Sequence, residues 1–507
     1  MTRAGAAALV ALALTAGLGL RLARLDVRPM HNDEANQAVK FGELLEQGDY
    51  RYDAFDHHGP TLYYLTLPSA WLRGQARFAS LDEYTLRAVP AVFGAATILL
   101  LLLLEPAIGR TAVAAGAVLM AVSPAMVFYS RMYIQESMFA CFALAFAIAL
   151  GRAITEGGVG WPVTAGLAAG LTLATKETSV LVLPASVAAA AGAWWSLGSA
   201  RPTALSGGGW RDAAIVCALT AMAVAALFYS SFLTDPAGVL GPFRAAGTYI
   251  DRGVDPADHV HPWYYYVGLL AWSSSGGLTW TEGLILTLAL VGLLWAVRRG
   301  FWPRYLAINT VLATAIFSAI PYKTPWNLLP FHVLAIVLAG IGFAALVESA
   351  SPRVVRAALA GALALGSAQL GWQAWRASVP FGSDQRNPYV YAHTVPDAVR
   401  MATRIRALAA LHPARDRMLV TVIAPPHEQW PLPWYLRAMP NVGYWTEPDS
   451  ALALGAPVVV SSPGHVERLD AVLGDRYASE FFGLRPEVLL TLYVERGLWD
   501  RFLASVR

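Results

Sequence analysis

Charge is scarce in this sequence. Only 14% of its 507 residues are Asp, Glu, Lys or Arg, against about 25% in an ordinary soluble domain. That shortage excludes a freely soluble globular protein, and a net charge of +3 gives no footing for nucleic-acid binding. Cysteine is nearly missing too. The two present, Cys141 and Cys217, both fall inside apolar segments, which argues against a disulfide framework and against a thiolate metal site. No internal repeat, low-complexity tract or glycine-rich phosphate loop is visible.

What fills the chain instead is apolar: 56% of residues are hydrophobic and the mean hydropathy is +0.47. Apolar runs of about 20 residues recur, the length that crosses a hydrocarbon core of roughly 30 Å. The pattern predicts a polytopic α-helical membrane protein with eleven transmembrane helices, near residues 5–23, 87–104, 111–129, 134–151, 160–174, 178–196, 212–233, 280–297, 303–320, 327–348 and 354–375. The first run has Arg21 and Arg24 where a signal peptide would need small residues, so it reads as an uncleaved span.

Loop charge sets the expected orientation. With a cytoplasmic N-terminus, the inner loops hold Arg110, Arg152, Arg201, Arg211, Arg298, Arg299, Arg304, Arg353 and Arg356, and the short outer loops only Arg131, Lys176 and Lys323. This is the asymmetry of the positive-inside rule. Arg21, Arg24 and Arg28 run against it, but they precede a long loop, where the rule is weak. Residues 1–376 then form the membrane domain, with 25–86 as a first outer loop carrying interfacial helices. Residues 377–507 alternate amphipathic helices with short apolar strands ("MLVTVIA", "APVVVSS"), which predicts a small α/β domain. It falls on the extracytoplasmic side of a plasma membrane.

The same topology gathers six polar clusters on that side: "HNDEA" (31–35), "DHHGPTLYY" (56–64), "SRMYIQES" (130–137), "TKET" (175–178), "DHVHPWYYY" (258–266) and "YKTPWN" (322–327). Asp33 and Glu34 at a membrane edge mark a functional site by default, although Asp33 could equally cap the helix "EANQAVKFGELL". His57 and His58 could bind a metal, accept a proton or meet phosphate, or be two hydrated loop histidines. Arg131 with Glu136, and Lys176 with Glu177, read either as local ion pairs or as site residues. Lys323 sits between two prolines, fit for a lipid phosphate or for plain headgroups. Together these carboxylates, imidazoles and cations suit an anionic lipid head, with cations holding phosphate and a carboxylate taking a proton from an attacking hydroxyl.

On these motifs the chain resembles the GT-C glycosyltransferases, a superfamily that includes the protein O-mannosyltransferases and the lipid A aminoarabinose transferase. "HNDEA" is similar to the acidic pair that follows their first span. "HHGPTLYY" resembles a second element, and Arg131 followed by Glu136 a third. "YKTPWNLLP", "NPYVYAHTVPD" and "WPLPWYLRAMPNVGYW" resemble a prokaryotic branch known as flippase-activity-associated proteins.

The resemblance implies inverting transfer of a sugar from a polyprenyl-phosphate donor to an acceptor (protein, glycan or lipid) on the outer membrane face. Asp33 would be the general base, with Glu34 and Glu136 beside it in the catalytic set. Asp33 and Glu136 would admit a divalent cation, Mg²⁺, Mn²⁺ or Zn²⁺. Where the aminoarabinose transferase has Glu-Lys, this chain has His57-His58. The donor phosphate would thus fall to Arg131, Lys176 and Lys323 together with the two histidines, and Tyr63, His261 and Tyr322 would contact substrate. A non-catalytic polyprenyl-phosphate-binding partner of a lipid flippase, or a transporter, is the alternative. The missing repeat counts against a transporter.

Overall fold

The computed structural model describes residues 1–48, 50–53, 58–204, 209–244, 259–448 and 455–506. Every apolar run becomes helix. The bundle consists of α1 (Arg3–Leu22), α4 (Glu83–Leu100), the bent pair α5 (Arg110–Val122) and α6 (Pro124–Ser130), α7 (Glu136–Glu156), α8 (Gly160–Leu173), α9 (Ser179–Trp195), α10 (Gly209–Tyr229), α12 (Gly283–Ala296), α13 (Phe301–Ala319), α14 (Leu329–Ser349) and α15 (Arg353–Ser378). The first outer loop supplies α2 (Asn32–Gln47) and α3 (Thr61–Leu72), and a later loop the short α11 (Tyr265–Ala271). Among the described residues, six helices are long and apolar enough to span a membrane alone, and α5–α6 makes a seventh despite a 56° bend. α8 and α12, at 14 residues each, reach only about 21 Å at 1.5 Å per residue.

The α5–α6 bend has a local cause. Pro124 cannot donate to the preceding turn, and Ser123 caps the new helix by accepting from the Met126 amide. α14 is the central post, 89% buried over its most apolar window. Glycines let neighbours reach it. A Cβ at Gly340 would strike the Ala112 carbonyl of α5, and one at Gly342 the Leu288 carbonyl of α12. Small residues at such crossings allow the close van der Waals packing that membrane bundles rely on.

The C-terminal part is a five-stranded mixed sheet under helix α16 (Pro396–Leu411). Its strands are β3 (Val420–Ile423), β4 (Val442–Trp445), β5 (Val458–Ser461), β6 (Tyr477–Arg485) and β7 (Val488–Glu495), numbered after a small hairpin, β1 (Ser273–Ser275) and β2 (Leu278–Trp280). The order is β4-β3-β5-β7-β6, with β3 parallel to β4 and β5, and β7 antiparallel to β5 and β6. β3 and β5 are buried along their whole length, as continuous Val/Ile runs in a covered sheet should be.

This domain is seated on the first outer loop. The apolar stripe of α2 (Ala35, Ala38, Phe41, Leu44) shares one core with Met401, Trp434 and Val458, so protein covers it. Trp434 donates to Glu83 at 3.0 Å and Tyr435 accepts from the Met30 amide at 2.7 Å. Between α15 and α16 the chain runs back across the mouth of the bundle, carrying Asn387 to His393.

Candidate active site

The acidic pair divides into two unlike residues. Glu34 is wholly buried and is the third residue of a capping box: His31 is the N-cap of α2, and Glu34 Oε2 accepts from the His31 amide at 2.9 Å. This corrects the reading of Asp33 as the cap. Arg87 grips Glu34 with both arms of its guanidinium, at 2.7 and 2.8 Å. Arg28 adds contacts at 3.3 Å and the Tyr133 amide one at 2.8 Å. Burial alone would raise the Glu34 carboxyl, but the Arg87 and Arg28 guanidiniums outweigh it and hold the group well below the ordinary carboxylate range.

Asp33 is left open. Its side chain is 44% exposed, and the nearest titratable nitrogen, His31 Nδ1, is 3.8 Å away. That nitrogen accepts from the Asp33 amide at 3.1 Å, while Nε2 faces the Tyr391 carbonyl at 3.1 Å. These partners assign the proton to Nε2, so Asp33 faces an acceptor rather than a cation.

Arg21 and Arg28, two of the arginines that run against the positive-inside rule, are structural fasteners, and so is Arg131. Arg21, at the end of α1, donates to the Ala121 and Met120 carbonyls at the end of α5, both at 3.0 Å. Arg131, just past α6, returns the favour by donating to the Leu20, Arg21, Ala23 and Arg24 carbonyls at the end of α1. Each guanidinium therefore satisfies the orphan carbonyls of another helix's last turn. Arg131 forms no local pair with Glu136.

Glu136 instead meets Lys176 Nζ at 2.6 Å, and the same ammonium donates to Asn327 Oδ1 at 2.8 Å. Lys176 and Glu177 are not a local pair either: Glu177 Oε2 lies 2.7 Å from His58 Nδ1. Burial raises the Glu177 carboxyl, and His58 more than offsets this, holding it below its usual range. His58 is brought there by the next residue. Gly59 passes so close to the Ala174 carbonyl that a Cβ would overlap it. His57 lies outside the described residues.

Lys323 is almost fully buried, and its ammonium is held by the His261 carbonyl at 3.0 Å and by the Ile320 carbonyl. Burial pushes its pKa down. The 259–261 and 321–323 segments lie side by side: His261 N bonds Pro321 O at 3.2 Å, Lys323 N bonds His259 O at 2.9 Å, and Val260 faces Tyr322 across an isolated bridge. His261 stacks on Tyr265 at 4.1 Å. Tyr322 packs edge-on against His259 at 5.2 Å. Tyr63 is fully buried and donates to Gln37, which also accepts from Gln135 at 3.1 Å. It is part of the wall rather than of an open surface.

A chain of contacts joins these clusters. His31 packs on Trp326 at 5.7 Å and on His393 at 4.8 Å. Trp326 neighbours Asn327, which ties to Lys176 and so to Glu136. Around this chain several buried polar atoms find no hydrogen-bond partner in the protein: Asn32 Oδ1, Gln135 Oε1, Glu136 Oε2, His261 Nε2, Thr324 Oγ1 and His393 Nε2. Leaving such atoms unanswered costs about 1–3 kcal/mol each, which suits a place where a polar ligand supplies the missing bonds.

Of the two carboxylates expected to admit a metal, Glu136 carries Lys176 on one oxygen and Asp33 is exposed, with His31 Nδ1 3.8 Å away. Among the described residues no group of three or more His, Cys, Asp or Glu side chains comes together.

Two features escape a reading of the sequence. The segment 389–393 contributes His393, the Tyr391 carbonyl and the Tyr391 hydroxyl, which meets His259 Nδ1. Deeper in the bundle Glu282 and His332, both fully buried, pair at 2.9 Å. Glu282 also takes the Ser123 hydroxyl at 2.6 Å, the Ala125 amide at 2.8 Å and the Tyr389 hydroxyl at 2.9 Å. It thereby caps α6 and anchors the returning chain. The usable signal was their solitude, since each is a lone ionisable residue in or beside an apolar run.

A family model described as dolichyl-phosphate-mannose-protein mannosyltransferase matches residues 66–205, the stretch that carries Arg131, Glu136 and Lys176. No curated protein matches the sequence. Among solved structures, ArnT from Cupriavidus metallidurans bound to undecaprenyl phosphate is similar at 15% identity and a TM-score of 0.65, covering 98% of this chain and 99% of that one. AglB, an archaeal oligosaccharyltransferase from Archaeoglobus fulgidus in complex with an inhibitory peptide and a dolichol-phosphate, gives 14% identity and a TM-score of 0.59, over 97% and 76% of the two chains. An Archaeoglobus fulgidus oligosaccharyltransferase in complex with Zn and sulfate gives 15% and 0.58, over 97% and 75%. At such identities the likeness is one of architecture: the chain has the multi-helix fold of ArnT and AglB, and its own apolar helices are those of a multi-pass membrane protein.

Proposed function

We propose that this protein transfers a sugar from a polyprenyl-phosphate donor to a hydroxyl acceptor at the extracytoplasmic face, with Asp33 as general base. One observation carries the assignment. Of two adjacent carboxylates at the mouth of the bundle, Glu34 is saturated by its own protein and Asp33 is exposed, with no cation beside it among the described residues.

In the proposed step Asp33 takes the proton of the acceptor hydroxyl as its oxygen attacks the anomeric carbon. The bond from that carbon to the phosphate oxygen breaks, the polyprenyl phosphate leaves with the electron pair, and the configuration inverts. Glu34 fixes the first turn of α2, and thus the place of Asp33, without meeting substrate. Lys323 is the proposed phosphate partner, since carbonyls hold its ammonium and, among the described residues, no carboxylate neutralises it. Lys176 holds both Glu136 and Asn327 and so fixes the neighbouring part of the mouth. His261 and Tyr322 flank Lys323, so substrate contact suits them. The lipid binding recorded for ArnT and AglB agrees with a donor of this class.

The test is transfer of radiolabelled sugar from polyprenyl-phosphate donors by the full chain in proteoliposomes. Asp33→Asn is expected to lower turnover by about 10²–10⁴, the usual worth of a general base, with the thermal midpoint unchanged. Full activity in that variant overturns the assignment. No turnover in the native chain, with intact donor binding, favours a non-catalytic lipid-binding partner.

A further inference from the structure

The end of the bundle opposite the candidate site holds a cavity of about 460 Å³. Its walls include Arg152 and Glu156 from the last turns of α7, Trp295 and Arg299 at the end of α12, and Trp302 at the start of α13. Arg152 lies 16 positions along α7 from Glu136, which at 1.5 Å per residue is about 24 Å. That is close to the roughly 30 Å of a hydrocarbon core. The cavity and the candidate site thus lie at opposite headgroup layers, and nothing in the proposed transfer uses the cavity.

Its charges are unevenly matched. Glu156 is engaged twice, by the Arg152 guanidinium and by Trp161 Nε1 at 2.9 Å. Arg152 also reaches the Leu103 carbonyl, yet its Nε is buried with no hydrogen-bond partner. Arg299 is exposed and lies over the Trp295 ring, 4.1 Å from its centroid. Among the described residues no carboxylate stands within ion-pair distance of Arg299. The backbone that carries it is nevertheless fixed: Arg304 binds the Arg299 carbonyl at 2.6 Å and the Ser196 carbonyl at 2.9 Å.

Trp302 is likewise seated by design, because Gly151 leaves space that a Cβ would take from the ring. Guanidinium-on-indole pairs recur at this end, with Arg201 over Trp194 at 4.2 Å and Arg152 over Trp161 at 5.4 Å. Tryptophan settles at the headgroup level, and arginine is the side chain best shaped to grip a phosphate. Basic pockets between helices are where anionic head groups lodge.

We propose that this cavity binds the head group of an anionic phospholipid, with its phosphate on Arg299 and Arg152 Nε and its glycerol against Trp295 and Trp302. A zwitterionic head fits less well, because Glu156 is already neutralised and no carboxylate remains to receive its cationic group.

The test is thermal unfolding of the detergent-solubilised full chain, titrated with dioleoylphosphatidylglycerol, dioleoylphosphatidylcholine or inorganic phosphate. A ligand that binds only the folded state raises the midpoint by mass action. Phosphatidylglycerol is expected to give a saturable rise of several degrees, with little from the other two. Arg299→Gln should raise the half-saturating concentration at least fivefold. Arg353→Gln, at the same end but outside the cavity, should leave it unchanged. An undiminished response in Arg299→Gln, or an equal response to phosphatidylcholine, overturns the proposal. An equal response to inorganic phosphate overturns it as well, since the ligand is then a free anion and not a lipid.

Discussion

Two loops at the same mouth handle buried charge in opposite ways. Around "HNDEA" a carboxylate is enclosed by two guanidiniums and two backbone amides, and its charge is used up within the protein. Around "YKTPWN" an ammonium is held, among the described residues, by two carbonyl oxygens, so two of its three N–H groups are met while its charge is not. The first arrangement fixes a shape. The second keeps an unpaired positive charge behind a thin wall of dipoles, which is a standing attraction for an anion. Charge at a membrane mouth therefore divides by its partners: met by opposite charge it is structural, and met only by dipoles it remains available.

Removing Glu34 should break the comparison most severely. Taking one partner from a buried ion pair costs about 3–5 kcal/mol because the other charge is stranded. Glu34→Gln should therefore lower the thermal midpoint sharply and reduce the yield of folded protein. Adding Arg87→Met to it should recover only part of the loss: the stranded guanidinium is removed, but the Leu25, Arg28 and Pro29 carbonyls that it serves lose their donor. A single variant as stable as the native chain would end the structural reading of Glu34.

Lys323→Gln should show the reverse pattern. Two carbonyl bonds are weakened, so stability falls by about 1 kcal/mol. Affinity for a polyprenyl-phosphate donor should drop by roughly tenfold, the worth of about 1.4 kcal/mol of lost phosphate attraction. Isothermal titration with polyprenyl phosphate measures the second effect and thermal unfolding the first. Unchanged binding alongside a large loss of stability would place Lys323 with the structural charges.

The smallest effect is in acid. Glu34 and Glu177 both titrate below the ordinary value of 4.5 in the folded protein. The unfolded chain therefore takes up protons first as pH falls past 4.5. Their stabilisation is complete above that value and is lost as pH drops through the folded values. The thermal midpoint in detergent should thus decline below about pH 4.5. Glu177→Gln should remove up to about 1.4 kcal/mol per pH unit of that slope, the share of one proton. An identical slope in the variant would show that the His58–Glu177 contact adds nothing to acid stability.

The helices were readable because an apolar run is a local property, so α1, α7 and α14 could be placed from composition alone. The strands at 420–423 and 458–461 stood out for the same reason, as short Val-rich runs between amphipathic helices. Partnerships were not readable. Lys176 meets Glu136, 40 positions away, and Asn327, 151 positions away, while its sequence neighbour Glu177 turns to His58. No spacing rule links such residues; only the packing of four loops at one mouth does. That Glu34 is gripped by arginines while Asp33 stays exposed was also closed to the sequence, because it depends on Arg87 arriving from α4. Likewise the seating of the C-terminal domain depends on Trp434 and Tyr435, which look like any aromatic pair until Glu83 and Met30 are seen beside them.

The crossed arginines at the ends of α1 and α6 carry a consequence for how the chain is made. Arg21 finishes the first span, but the carbonyl it answers belongs to Ala121, 100 positions later. At a synthesis rate of about 5–20 residues per second, it waits roughly 5–20 s for its partner. Arg131 closes the other half of the exchange only once α6 has emerged. Until then the charged end of the first span has only the Gly17 carbonyl of its own helix to hold, so its final depth is set when the third span arrives rather than on first insertion.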